Sequence, residues 1–196
     1  MPDSLNVADY FSAQASQNPD RIAFVDAKGL EISFGHLQEK VDYTVAFLHS
    51  KGLKKGMKVL VLEPMTVDLY RIVLALFRMG VTAVFLDSWS GIKRLEECCN
   101  QLECHAIIGG WKLRMLRLFS SSLRAIPQFY TAKKSLLKTK GEVFELPITD
   151  ASDEALITFT TGSTGIPKGA IRTHGFLAEQ FRVLSEIIER KEPEVD

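Results

Sequence analysis

At 196 residues, with 46% apolar and 24% charged side chains, the chain has the composition of a globular protein that buries a core, which excludes a disordered or fibrous class. Lysine plus arginine and aspartate plus glutamate balance at 24 each, so no global field recruits nucleic acid or an acidic membrane. The opening MPDSLNVADYF lacks a basic start followed by an apolar core, and no apolar run approaches the roughly eighteen residues of a membrane span, so the expectation is a cytoplasmic protein with no span.

Helix and strand signals alternate along the chain. A short helix is expected over Val7–Ser16, followed by a small hairpin, Arg21–Ala27 and Glu31–Ser33, turning at Lys28-Gly29. Ser33 is placed to cap a helix on which Phe34, Leu37, Val41, Val45 and Leu48 recur on one face. Next come strand Lys58–Glu63, helix Val67–Met79, strand Val81–Asp87, helix Ile92–Leu102 and strand His105–Gly109. Val67–Met79 is apolar nearly all round, which predicts burial between layers. Ile126–Thr131 and Glu142–Leu146 read as further strands, and Leu156–Thr160 as a strand reached through the polar Asp150–Glu154. A short strand, Ala170–Thr173, and a helix, Gly175–Arg190, complete the pattern, with Phe176, Leu177, Phe181, Leu184, Ile187 and Ile188 turned inward. Such a succession implies right-handed βαβ units: an α/β fold with a layered, largely parallel sheet and flanking helices.

Cys98, Cys99 and Cys104 are too close together for a disulfide framework, and adjacent Cys98 and Cys99 project about 100° apart on a helix, so packing thiols are expected and no metal site. From Cys104 to Gly141 there is no acidic residue, against eight cations: Lys112, Arg114, Arg117, Arg124, Lys133, Lys134, Lys138 and Lys140. This stretch reads either as a solvated helix face and loop or as a docking patch for a phosphorylated partner, with Trp111, Met115, Leu118 and Phe119 expected to pack inward. His36 and His49 fall on amphipathic helices as surface residues without a role.

The most informative stretch is Ile157–Ala170, ITFTTGSTGIPKGA. An alternating strand pattern ends at Phe159, and Thr160, Thr161, Ser163 and Thr164 then surround Gly162 and Gly165 with hydroxyls. Glycines in such a turn let successive backbone N–H groups point at an anion. Lys168 adds a full positive charge, and Pro167 narrows the conformations the loop gives up on closing. The natural guest is ATP or pyrophosphate. Because Lys168 precedes Gly169 and stands three positions after Gly165, the spacing is not that of a Walker P-loop.

Phe159, Thr160, Thr161, Gly162, Ser163, Thr164, Gly165, Ile166, Pro167, Lys168 and Gly169 resemble the signature of the adenylate-forming (AMP-binding) superfamily: acyl-CoA synthetases, nonribosomal-peptide adenylation domains and luciferases. Thr161 stands where serine is usual and keeps the hydroxyl. Weaker resemblance runs through Asn18–Val25, Ile32–Leu37, Gly52–Val61 and Val67–Asp87, with Met57 where aspartate is common. The resemblance implies that residues 1–196 are the N-terminal portion of the large AMP-binding domain, an incomplete domain with the phosphate loop at 160–169 and no C-terminal domain. It implies ATP and Mg2+ for the complete enzyme, a small-molecule carboxylate substrate, and coenzyme A or a carrier protein as thiol acceptor.

Thr160, Thr161, Gly162, Ser163, Thr164, Gly165, Lys168 and Gly169 would then hold phosphate, and no residue of this chain is carried over as catalytic. His174 either shapes a pocket or is a polar helix terminus. An incomplete domain leaves apolar faces uncovered, so self-association is expected. The alternative is a stand-alone, non-catalytic nucleotide-binding or interaction module built on the same scaffold.

Overall fold

A computed structural model describes residues 5–26, 29–86, 91–132, 145–161 and 167–189. In chain order the elements are α1 (Ala8–Gln17), β1 (Ile22–Val25), β2 (Glu31–Ser33), α2 (Phe34–Ser50), β3 (Lys58–Leu62), α3 (Val67–Arg78), β4 (Thr82–Phe85) and α4 (Gly91–Gln101). They continue with β5 (Ala106–Gly109), α5 (Trp111–Phe119), α6 (Ser121–Ala125), β6 (Gln128–Tyr130), β7 (Glu154–Thr161), β8 (Pro167–Thr173) and α7 (His174–Glu189). Expected and observed elements agree to within a few residues, apart from the differences below.

β1 and β2 form a separate antiparallel hairpin, with Phe24 opposite Ile32. The other six strands form one sheet in the order β6-β5-β3-β4-β7-β8. All neighbours in it are parallel except β7 and β8. This is the largely parallel α/β architecture the alternating pattern predicts.

Strand alternation explains the two cores. Val59 and Val61 of β3, Ala83 of β4 and Ala106 and Ile108 of β5 face one side, packed against Val41, Val45 and Leu48 of α2 and Ile72 and Leu76 of α3. Leu60, Val84, Ile107 and Ile157 face the other side, against Leu113 of α5 and Leu123 of α6. Strands apolar on both faces are what a sheet covered on both sides requires.

Local signals account for the element ends. The Ser33 side chain accepts the N–H of His36 at 3.3 Å, capping α2 as its sequence position suggests. Gly80 follows α3 at φ +61°, and a Cβ there would lie 2.9 Å from Thr149 Cγ2, so backbone hand and contact both call for glycine. α6 has no counterpart among the predicted elements. Ser120 caps it by accepting the Leu123 N–H at 3.3 Å, a signal five residues of sequence carry too weakly to read in advance.

Four expectations are corrected. Glu142, Val143 and Phe144 of the expected strand Glu142–Leu146 lie outside the described residues, while Glu145 and Leu146 are irregular and Leu146 packs on the first core. β8 begins at Pro167, earlier than Ala170, because its first residues pair with the end of β7. On α5, Trp111, Met115, Leu118 and Phe119 point to solvent, since Leu113 and Leu116 already fill the side that meets the sheet. On α7, Ala178 is buried and Leu177 packs on the first core, but Phe176, Phe181, Leu184, Ile187 and Ile188 are exposed, since Leu177 and Ala178 take the side that meets the core.

Helix α3 is less uniformly buried than its composition suggests. Tyr70 is exposed, while Arg71, Ile72, Ala75, Leu76 and Phe77 are buried. Arg71 is the largest fully buried side chain. Its Nε donates to Asp68 Oδ1 at 2.8 Å, its Nη1 to Thr44 Oγ1 at 2.8 Å, and its Nη2 to the Ala132 carbonyl. One guanidinium thereby joins α2, α3 and the segment after β6. Replacing Arg71 with alanine removes the donors to the Ala132 carbonyl and Asp68 and opens a cavity, while Thr44 keeps its bond to the Lys40 carbonyl, with an expected loss of about 3–5 kcal/mol in unfolding free energy by chemical denaturation. A loss under about 1 kcal/mol would mean the network is not structural.

Candidate phosphate-binding site

The carboxyl ends of β3, β4 and β7 lie at one end of the sheet, where ligands bind in open parallel α/β sheets. β7 is held there by parallel pairing with β4, Ala83 to Leu156, Val84 to Ile157 and Phe85 to Thr158. Ile157 is buried between layers and Phe159 packs on the second core. β8 returns antiparallel, with Phe159 opposite Gly169, Thr160 opposite Lys168 and Thr161 opposite Pro167. Thus Thr160, Thr161, Lys168 and Gly169 meet as the two arms of one hairpin. Gly162, Ser163, Thr164 and Gly165, with Ile166, lie outside the described residues.

Lys168 is exposed, so its charge is available to an anion without a desolvation cost. A Cβ placed on Gly169 would stand in ordinary contact, 3.5 Å from the Phe159 ring, so the Gly169 backbone runs directly beside that aromatic. Arg172 Nη1 donates to Thr158 Oγ1 across the hairpin. This cross-strand bond stiffens the arms below the turn.

His174 sits at the opposite end of β8, six residues and about 20 Å along the strand from Lys168. It is fully buried. Its Nδ1 accepts the Val7 N–H at 3.2 Å, its own N–H donates to the Asp153 carbonyl at 3.0 Å, and its ring meets Phe77 edge-on with centroids 5.8 Å apart. These contacts join the start of α1, α3, the loop before β7 and α7. They describe a packing node, and nothing in them reaches the hairpin turn. Asn6 completes the node, donating to the Phe77 carbonyl at 2.7 Å and accepting the Ala8 N–H at 3.0 Å. Sequence reading missed Asn6, which carries no motif.

Lys55 Nζ lies 2.6 Å from Asp153 Oδ2. Burial pushes the Asp153 carboxyl up, but hydrogen bonds from Lys55 and the Asp150 N–H, with the Lys55 and His174 charges, bring it net below the usual carboxylate value. For His174, burial lowers the pKa and outweighs the neighbouring Asp153 and Asp9 charges.

Cys99 and Cys104 are poor nucleophiles. Burial, with the charges of Cys104, Cys98 and Glu96, pushes the Cys99 thiol up to about 12, and burial pushes Cys104 up to about 11 against an opposing pull from Lys58. They border a cleft of about 440 Å³ between α4 and α6, away from the hairpin. No group of His, Cys, Asp and Glu among the described residues could hold a metal ion.

Comparison with known proteins identifies the scaffold. The AMP-binding enzyme family model matches residues 11–194, and the chain belongs to that family. An olefin beta-lactone synthetase from Xanthomonas campestris pv. campestris is 25% identical over 97% of this chain and 38% of its own length. The Klebsiella oxytoca NpsA N-terminal subdomain, solved in complex with 3-hydroxybenzoyl-AMSN, superposes with a TM-score of 0.72 at 25% identity, covering 87% of this chain and 41% of that one. The McyG A-PCP structure, complexed with phenylalanyl-adenylate, gives 0.76 at 25% identity over 94% of this chain and 31% of its own. The chain therefore spans well under half the length of these relatives.

The His174 node makes stability depend on pH in a defined direction. A histidine whose folded pKa lies below its unfolded value near 6.5 contributes fully above that value and loses its contribution as pH falls through the window below it. The unfolding midpoint should drop between pH 7 and pH 5, and His174→Gln should flatten that slope. At pH 7.5, His174→Ala should cost about 1–3 kcal/mol by removing the acceptor for Val7. An unaltered slope in the glutamine variant would refute the assignment.

Proposed function

We propose that residues 1–196 act as the N-terminal portion of an ATP-dependent carboxylate-activating ligase and supply the loop that grips the nucleotide's phosphates. One observation carries this reading: the ITFTTGSTGIPKGA segment begins on a strand of the parallel sheet, and its flanking arms meet at the carboxyl end of that sheet with Lys168 exposed. Family membership and neighbours holding adenylates or their analogues support it.

In the proposed reaction a carboxylate oxygen bonds to the α-phosphorus of ATP, the bond from that phosphorus to the bridging oxygen breaks, and pyrophosphate leaves. A thiol of coenzyme A or of a carrier protein then attacks the acyl carbon and releases AMP. The first step is catalysed by positioning and charge neutralisation, because negative charge spreads over the phosphoryl oxygens as it proceeds. Thr161, Ser163, Thr164 and the surrounding amides would hold the β- and γ-phosphates, with Thr160, Gly162, Gly165 and Gly169 shaping the turn. Lys168 would hold the departing pyrophosphate. Magnesium, where bound with the nucleotide, would supply counter-charge on the phosphates. No helix among them is long and apolar enough to cross a membrane, and thiols outside any disulfide suit a cytoplasmic setting.

The test is ATP–pyrophosphate exchange in the intact enzyme containing this segment. Lys168→Ala and Thr164→Ala should each raise the ATP requirement and slow exchange, by about ten- to a hundredfold for the lysine, the value of one charge-assisted contact. Unchanged exchange in both would refute the loop assignment. Tight ATP binding by the 196-residue chain without a carboxylate would favour the stand-alone module.

The reading also explains α7. Phe176, Phe181, Val183, Leu184, Ile187 and Ile188 form an uncovered apolar side, touched at one end where Tyr10 stacks on Phe181 at 4.8 Å. Such a patch drives association with whatever apolar surface is nearest, here another copy. Sedimentation equilibrium should show self-association of the 196-residue chain, and Leu184→Glu with Ile187→Glu should shift it to monomer. A wild-type chain that stays monomeric at high concentration would refute it.

A further inference from the structure

Helix α5 presents to solvent what a surface helix ordinarily buries. Trp111, Met115, Leu118 and Phe119 follow i, i+4, i+7, i+8 spacing, which sets them on one stripe, and they are 70%, 49%, 62% and 79% exposed. Leu113 and Leu116, on the other side, attach the helix to the second core. The stripe is therefore anchored, and its exposure is not a consequence of a loose helix.

Its borders are cationic. Lys112 and Arg114 are both exposed, and among the described residues neither pairs with a carboxylate. Arg117 belongs to the scaffold: its guanidinium donates to the carbonyls of Leu123 and Ile126 and lies 6.0 Å from the Phe129 ring centroid. Beside the stripe, Arg114 and Arg117 line a cleft of about 370 Å³ with Phe129, Tyr130 and Thr131. The chain as a whole is neutral, yet no acidic residue occurs between Cys104 and Gly141, so α5 itself carries cations only.

A convex apolar stripe bordered by cations, with a basic cleft alongside, matches one occupant in charge and shape. We propose that α5 lies on an anionic phospholipid surface, with Trp111, Met115, Leu118 and Phe119 in the acyl boundary, Lys112 and Arg114 among the headgroups, and a headgroup phosphate in the Arg114–Arg117 cleft. A fluid interface closes around a convex stripe without a matching groove, whereas a protein partner would need an acidic groove of complementary shape. The face lies on the membrane and does not span it. This inference is independent of the phosphate-loop reading.

Trp89 and Trp111 are the only tryptophans, so Trp89→Phe leaves Trp111 as the single reporter. With vesicles of 30% phosphatidylserine in phosphatidylcholine, the Trp111 emission should shift blue, and acyl-chain-brominated lipid should quench it. Binding should weaken by at least about tenfold on pure phosphatidylcholine, in high salt, or in Lys112→Glu with Arg114→Glu. Circular dichroism of the double variant should match the parent, since both side chains are solvent-facing. Vesicle binding without Trp111 quenching would place the contact on another face and overturn the proposal. So would equal binding to neutral and anionic vesicles. A Trp111 response to an acidic amphipathic helical peptide, with none to vesicles, would assign the surface to a protein partner instead.

Discussion

Parallel pairing of β4 with β7 joins two segments far apart in the chain, and the position of the candidate site depends on it. Ala83, Val84 and Phe85 take Leu156, Ile157 and Thr158 as partners, so the end of β7 lies beside the ends of β3 and β4. Loop-closure entropy opposes so distant a contact, and burial of Val84 and Ile157 in the second core offsets it. Thr82 reinforces the pairing from the start of the strand, its hydroxyl donating to the Glu154 carbonyl at 2.9 Å. Once β7 is fixed, β8 returns along it in register from the turn, which keeps Lys168 opposite Thr160.

The other end of the hairpin is fastened as firmly. His174, Asn6, Asp153 and Lys55 bind the start of α7 to α1, α3 and the loop before β7 through hydrogen bonds and one ion pair, most of them buried. Buried polar groups of this kind specify geometry because each unpaired alternative is costly. The hairpin is thus held by core packing along its length and by polar contacts at its base, as the proposed phosphate-gripping role would require. Arg71 acts likewise elsewhere in the first core, fixing α2 against α3 and the segment after β6.

Two helices break the rule that an apolar stripe faces inward, for different reasons. On α7, Leu177 and Ala178 take the side that meets the core, and the exposed side meets Tyr10 at Phe181. α5 is attached by its opposite side, and its second apolar stripe is surplus to the core. For α7 periodicity located the helix and its apolar residues, and for α5 the sequence named the apolar residues without bounding a helix; in both, the side chosen for burial was set by neighbours that periodicity does not name. α6 and the irregular Glu145–Leu146 stretch were obscured for a related reason: a five-residue helix and a segment without a ladder leave no period to detect.

What the chain's own order of residues determined is the alternation of strands and helices, the caps at Ser33 and Gly80, and the hydroxyl, glycine and lysine composition of 160–169. These are local properties, fixed by backbone preference, side-chain period and charge over a few neighbours. Tertiary structure alone decided that His174 packs against Val7 and Phe77, that Arg71 is buried with three partners, and that Trp111 and Phe119 meet solvent. Each of those outcomes depends on which distant segment arrives alongside, and burial and hydrogen bonding between segments have no signature within either one.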